Sequence, residues 1–220
     1  RYELDVSGNI YFSNRLSHGT SYAGANNAIA FGGNSVALSD GAFTIGLDCS
    51  SLQNYTFTAG DQTEASGTGA FAHGQLTTAS GGFAHSEGQE TIAGGVGSHS
   101  EGFQTQANNI YSHTEGRETL ATGNYAHAEG YISMASGDYS HAEGLDCSAL
   151  GQGSHAEGDK TIASGEGSHA EGHGGYIINP PFNYNNLASG DYSHTEGQFT
   201  KASALASHAE GRFTEANANF

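Results

Sequence analysis

The residues best equipped for chemistry in this chain recur as nine copies of His-x-Glu-Gly. The pairs are His85/Glu87, His99/Glu101, His113/Glu115, His127/Glu129, His141/Glu143, His155/Glu157, His169/Glu171, His194/Glu196 and His208/Glu210. Imidazole and carboxylate together suggest three chemistries: acid–base catalysis, metal ligation, or mutual pairing across a contact. Catalysis fits poorly. A polysaccharide-cleaving site needs one unique carboxylate pair in a groove, and pairs repeated nine times read as architecture. The expectation is therefore no catalytic residue and no enzyme. One His and one Glu per repeat do not close a metal site within one chain, so neither metal nor cofactor is expected. A pairing surface between chains is the favoured reading, with a solvated stripe as the plain alternative.

The elements that position these pairs follow from their spacing. The motif glycines Gly88, Gly102, Gly116, Gly130, Gly144, Gly158 and Gly172 are 14 residues apart; the next, Gly197, follows after 25, and Gly211 after a further 14. The same spacing runs back through Gly74, Gly60, Gly46 and Gly32, giving thirteen coils in one register. Five residues after each glycine stands Ala, with Ser51 the one exception once the insertion after Gly172 is passed over, and three after it usually Thr. Each coil holds two stretches of period-two alternation, each followed by a turn signal at fixed offset. Two strands and two turns per coil predict an all-β parallel solenoid, whose coils stack at about 4.8 Å into a rod of roughly 60 Å. Such a coil has room inside only for small side chains, so Ser98, Ala142, Thr119, Ala121 and their equivalents are expected to point inward. His and Glu then point outward.

In the first coils that outward strip is apolar: Ile29 and Phe31, Phe43 and Ile45, Phe57 and Ala59, then Phe71 with His73. A strip that begins with Phe and Ile is expected to be covered by another copy of the chain. His and Glu of neighbouring chains would satisfy one another there. Such pairing predicts raised His pKa values, with stability present at low pH and lost as pH rises. The formal net charge of −17, with six Lys and Arg in 220 residues, argues against nucleic acid and anionic lipid as partners. No apolar run is long enough for a membrane-spanning helix, so no membrane insertion is expected.

The Ser-x-Ala-x-Gly strand, as in Ala28-Ile29-Ala30-Phe31-Gly32 and Ala42-Phe43-Thr44-Ile45-Gly46, resembles the head repeats of trimeric autotransporter adhesins of the Yersinia type. The Ser-His-Ala-Glu-Gly form is similar to repeats in phage and other viral tail-fibre proteins. This resemblance covers about residues 21–220. It implies a left-handed parallel β-roll assembled as a homotrimer, at a virion or cell surface, supporting attachment to a host glycan or protein receptor. Neither the adhesins' helical stalk nor their barrel anchor is present, which tips the expectation toward a viral fibre. A tailspike enzyme and an ice-binding solenoid with a Thr ladder are the alternatives.

Outliers complete the reading. Residues 1–20 precede the coils and read as a strand or hairpin cap. The 11-residue insertion lies within 173–186 and holds both prolines of the chain. Its Tyr176, Ile177, Ile178, Phe182 and Tyr184 suit a receptor or sugar contact, or a loop folded over a neighbouring chain. Tyr111, Tyr125, Tyr139 and Tyr192 share one column and are expected to stack. Cys49 and Cys147 take the inward Thr position seven coils apart, roughly 34 Å at the strand spacing. A disulfide spans about 7 Å at most between Cα atoms, so both should be buried free thiols.

Overall fold

The computed structural model describes residues 15–17, 20–178 and 181–218. Two fourteen-stranded parallel sheets face each other, and among the described residues there is no helix. One sheet is built mainly of five-residue strands such as His85–Gln89, His99–Phe103 and His141–Leu145. The other is built mainly of two-residue strands such as Ile92–Ala93 and Met134–Ala135. The chain alternates between them, so each circuit adds one strand to each sheet. Pairing follows the motif: His85 lies opposite His99, Glu87 opposite Glu101 and Gly88 opposite Gly102. Across the insertion the register resumes, with His169 opposite His194 and Thr161 opposite Asn186.

The space between the sheets is thin, and the sequence fills it accordingly. Ala72, Ser86, Ser100, Thr114, Ala128 and Ala142 from the long strands are fully buried. So are Ala65, Ala79, Ala93, Ala107, Ala121 and Ala135 from the short ones. Ser98 and Thr119 also point inward, as expected. Burying a hydroxyl is costly unless it is bonded. Here Ser86 Oγ meets Thr91 Oγ1 at 2.8 Å, and Ser100 Oγ meets Thr105 Oγ1 at 2.8 Å. Thr105 and Thr119 donate to the carbonyls of Glu101 and Glu115, both at 3.1 Å. The interior is thus held by hydroxyl bridges and methyl packing rather than by large apolar groups. The Thr ladder that an ice-binding face would present is mostly inside the rod.

Asn186 occupies the Thr column where the chain re-enters after the insertion. Its Nδ2 donates to the carbonyls of Glu171 at 2.8 Å and Gly197 at 2.7 Å, and its Oδ1 accepts from the Thr200 amide at 2.9 Å. One side chain therefore ties its own coil to the next where the register is interrupted.

The motif glycines are required by close approach. At Gly144, φ is +110° and an added Cβ would lie 2.1 Å from the Gly158 carbonyl oxygen of the next coil. Arg15–Ser17 joins the edge of the long-strand sheet, Arg15 opposite Ala28. This strand lies within the segment 1–20 that precedes the regular coils; residues 1–14, 18 and 19 lie outside the described residues.

Cys49 and Cys147 are free and buried. Their thiols donate toward the carbonyls of Gly60 and Gly158, each at 3.3 Å, and burial pushes the Cys147 thiol pKa up. A buried, protonated thiol is a poor nucleophile. A thiol reagent should therefore leave both cysteines unlabelled in the folded protein and label both after denaturation. Fast labelling without unfolding would contradict the register.

Candidate functional site

The outward face of the long-strand sheet carries one continuous ladder of rings. Phe43 stacks on Phe57 at 5.4 Å and Phe57 on Phe71 at 4.6 Å. Phe71 meets His85 edge-on at 4.7 Å. From His85 the imidazoles then stack face to face through His99, His113, His127, His141, His155, His169 and His194 to His208, at 4.6–4.8 Å. Parallel in-register strands impose this spacing, because every equivalent side chain is repeated one strand on. Beside the rings runs a second column: Phe31 opposite Ile45, Ile45 opposite Ala59, Ala59 opposite His73, His73 opposite Glu87. Glutamates continue it down to Glu196 opposite Glu210, so the residues expected at the interface share one face.

The geometry within this face is regular. His141 Nε2 lies 3.8 Å from Glu129 Oε1 of the coil before and 3.9 Å from Glu143 Oε2 of its own coil. His155 stands likewise between Glu143 and Glu157, and His169 between Glu157 and Glu171. These separations are too long for hydrogen bonds. The Nε2 atoms of His85, His99, His113, His127, His141, His155, His169 and His194 are buried without a hydrogen-bond partner. The rings themselves keep about a third of their surface, 35% for His141, His155, His169 and His194. The carboxylates of Glu115, Glu129, Glu143, Glu157, Glu171 and Glu196 line an open trough of about 820 Å³. A second trough of about 540 Å³ runs beside His73, Glu87 and Glu101.

Glu210 is more exposed than most glutamates of the ladder. Its side chain is 74% exposed, against 29–39% for the glutamates higher in the ladder such as Glu87, Glu129 and Glu171. The carboxylate lies 3.9 Å from His208, itself 51% exposed. The reason is position: strand His208–Arg212 is the edge of its sheet, so no further glutamate or imidazole packs on its outer side.

Electrostatics within one chain reverse the sequence expectation for His. Burial, helped by the charge of neighbouring imidazoles, holds His99, His127 and His155 below the usual imidazole pKa; burial alone lowers His113. Burial and neighbouring His194 lower His169. Burial of each ring in the stack, joined at all but His113 by the charge of a neighbouring imidazole, outweighs the glutamates. The glutamates alternate. Hydrogen bonding to Glu115 and Glu143 pushes Glu129 up to about 7, and hydrogen bonding to Glu171 and Glu143 pushes Glu157 up to about 7. Burial raises Glu101. Glu115 and Glu143 are lowered, chiefly by hydrogen bonds from those neighbours. From Glu101 to Glu157 neighbouring carboxyls are thus shifted in opposite directions.

The insertion forms an antiparallel hairpin, Gly175–Ile178 paired with Pro181–Tyr184. Residues 179 and 180, and the side chains of Tyr176, Ile177, Ile178, Phe182 and Tyr184, lie outside what is described. At its base His173 Nδ1 lies 2.9 Å from Asp159 Oδ2, a pair the repeat pattern did not flag. Tyr111 stacks on Tyr125 and Tyr125 on Tyr139, at 5.5 and 5.1 Å, and all three are exposed. Arg117 sits between the rings of Phe103 and Tyr131, at 5.3 and 5.4 Å from their centroids. That clamp was detectable in principle, since the three residues are one repeat apart.

The fold defines the class: a parallel β-solenoid with a ladder of aromatic, imidazole and carboxylate groups along one face. No protein-family model matches the chain, and no curated protein matches it.

Proposed function

We propose that this chain is a segment of a homotrimeric fibre: a left-handed β-roll of 14-residue coils whose outward ladder packs against its counterparts. The observation that carries this reading is the half-exposed apolar start of the ladder, with Ile45 44% and Phe71 37% exposed in a single chain. It runs without a break into imidazoles whose Nε2 atoms are buried and unpartnered. Covering the strip with identical strips buries the apolar rings and brings the imidazole–carboxylate ladders of the copies together. The regular, hydroxyl-bridged interior suits a stiff spacer.

Such a fibre belongs on a virion or cell surface, where it supports attachment to a host glycan or protein receptor. The hairpin at 175–184 is the proposed contact. Among the described residues it is the one paired element outside the two long sheets, and departures from solenoids often carry recognition. Deleting residues 175–184 and closing the chain should leave the circular dichroism spectrum β-rich and abolish binding to host cells or a glycan array. Undiminished binding by the deletion variant would remove the hairpin from the attachment role.

A further inference from the structure

One coil supplies one His and one Glu, which is why metal ligation is not expected from the repeat alone. Stacking changes the arithmetic. Glu143, Glu157 and Glu171 each offer Oε2 to the imidazole of their own coil and Oε1 to the imidazole of the next: Glu143 lies 3.9 Å from His141 and 3.9 Å from His155. Glu171 does the same for His169 and His194, at 3.9 and 3.8 Å. Groups such as Glu101, His113 and Glu115 have their donor atoms within 4.8 Å of one another. An ion at the centre of a triangle with such edges lies about 2.2–2.8 Å from each corner, and small side-chain shifts at the wider sites bring this to zinc–nitrogen and zinc–oxygen bond lengths. We propose that the ladder is a linear array of divalent transition-metal sites, each built from one imidazole and the two glutamates that flank it.

Three further observations fit this. The buried Nε2 atoms lack a hydrogen-bond partner, and a neutral imidazole with its proton on Nδ1 turns a lone pair to that position. The mixed nitrogen and carboxylate donor set suits zinc-type ions better than calcium, which prefers six to eight oxygens. The open trough beside the carboxylates gives an entry path and room for water as a fourth ligand. Charge sets the capacity. Nine glutamates neutralise about four divalent ions, so alternate sites fill. All ligands of a site come from one chain, so the array does not depend on the trimer.

The test uses the full chain, stripped with chelator and dialysed against micromolar Zn²⁺ or Ca²⁺, with bound metal measured by mass spectrometry. About four zinc ions per chain and no retained calcium are expected. Glu143→Gln combined with Glu171→Gln touches His141, His155, His169 and His194 and should halve the zinc. His173→Ala, which removes the separate pair with Asp159, should change nothing. Should the glutamine variant fail to fold, Co²⁺ added to the unmodified chain gives the second readout, a d–d absorption of nitrogen and oxygen ligands. Less than one zinc per chain, full zinc retention by a folded glutamine variant, loss of zinc in His173→Ala, or no cobalt absorption would overturn the proposal. Sedimentation reports the oligomeric state separately.

Discussion

Gly144→Ala is expected to destabilise the protein by about 3 kcal/mol or more, whereas Gly153→Ala should cost about 1 kcal/mol. Both glycines have positive φ, +110° and +63°. They differ in what a methyl group would meet. At Gly144 the nearest atom is a backbone carbonyl oxygen 2.1 Å away, which cannot yield without separating two coils. At Gly153 nothing lies within 4 Å, so only the left-handed backbone preference is lost. In a solenoid each coil is held mainly by its neighbours, so a broken contact splits the rod into two shorter, weaker stacks. Thermal unfolding of the two variants side by side measures this. Equal melting temperatures would show that the glycine column is not a stacking requirement.

The second large effect concerns protons. With chelator present, Glu129→Gln combined with Glu157→Gln should stabilise the protein at pH 8 by about 1 kcal/mol, after allowing for solvent screening, and change little at pH 5. Both carboxyls have folded pKa values raised from 4.5 to about 7 by their glutamate neighbours. A raised carboxyl pKa contributes stability that is present below 4.5 and is lost as pH rises through about 7. Glutamine keeps the shape and removes that loss. The imidazoles of His99, His113, His127, His155 and His169 act in the opposite sense. Their lowered pKa values contribute stability present above 6.5, which is lost as pH falls. The two limbs oppose each other in the unmodified chain, and the double variant leaves the acid limb alone. Melting temperatures from pH 5 to pH 8 give the comparison; a difference independent of pH would contradict the alternating ladder.

Much of the fold was legible in the sequence because the repeat makes the register redundant. Gly88, Gly102 and Gly116 fix the stacking, and the alternation of His85, Ser86 and Glu87 fixes which side faces in. Small residues at every inward column left no room for a thick core. What escaped the reading depends on neighbours in the third dimension. Within one repeat His99 has a single glutamate for company, but stacking buries it between His85 and His113, and that burial, with their charge, reverses its pKa shift. Glu210 carries the same motif as Glu143 and differs only in lying on an edge strand, so the repeat cannot tell the two apart. The donor groups that join Glu101, His113 and Glu115 span two coils, so no single repeat shows them. The left-handed corners were hidden for another reason. Positive φ recurs at Leu76, Glu90, Gln104, Glu118, Ile132 and Asp146, a column with no common side chain. Stacking fixes these corners by position, at an energetic cost that residue type does not advertise.

The central claim is that three copies share the outward ladder, and solution mass tests it most directly. Sedimentation equilibrium at micromolar concentration should give about 68 kDa, three times the 22.6 kDa chain. Ile45→Asp, which places a charge on the apolar start of the strip, should shift that mass toward a single chain while the circular dichroism spectrum stays β-rich. A monodisperse 22.6 kDa species for the unmodified chain would contradict the account.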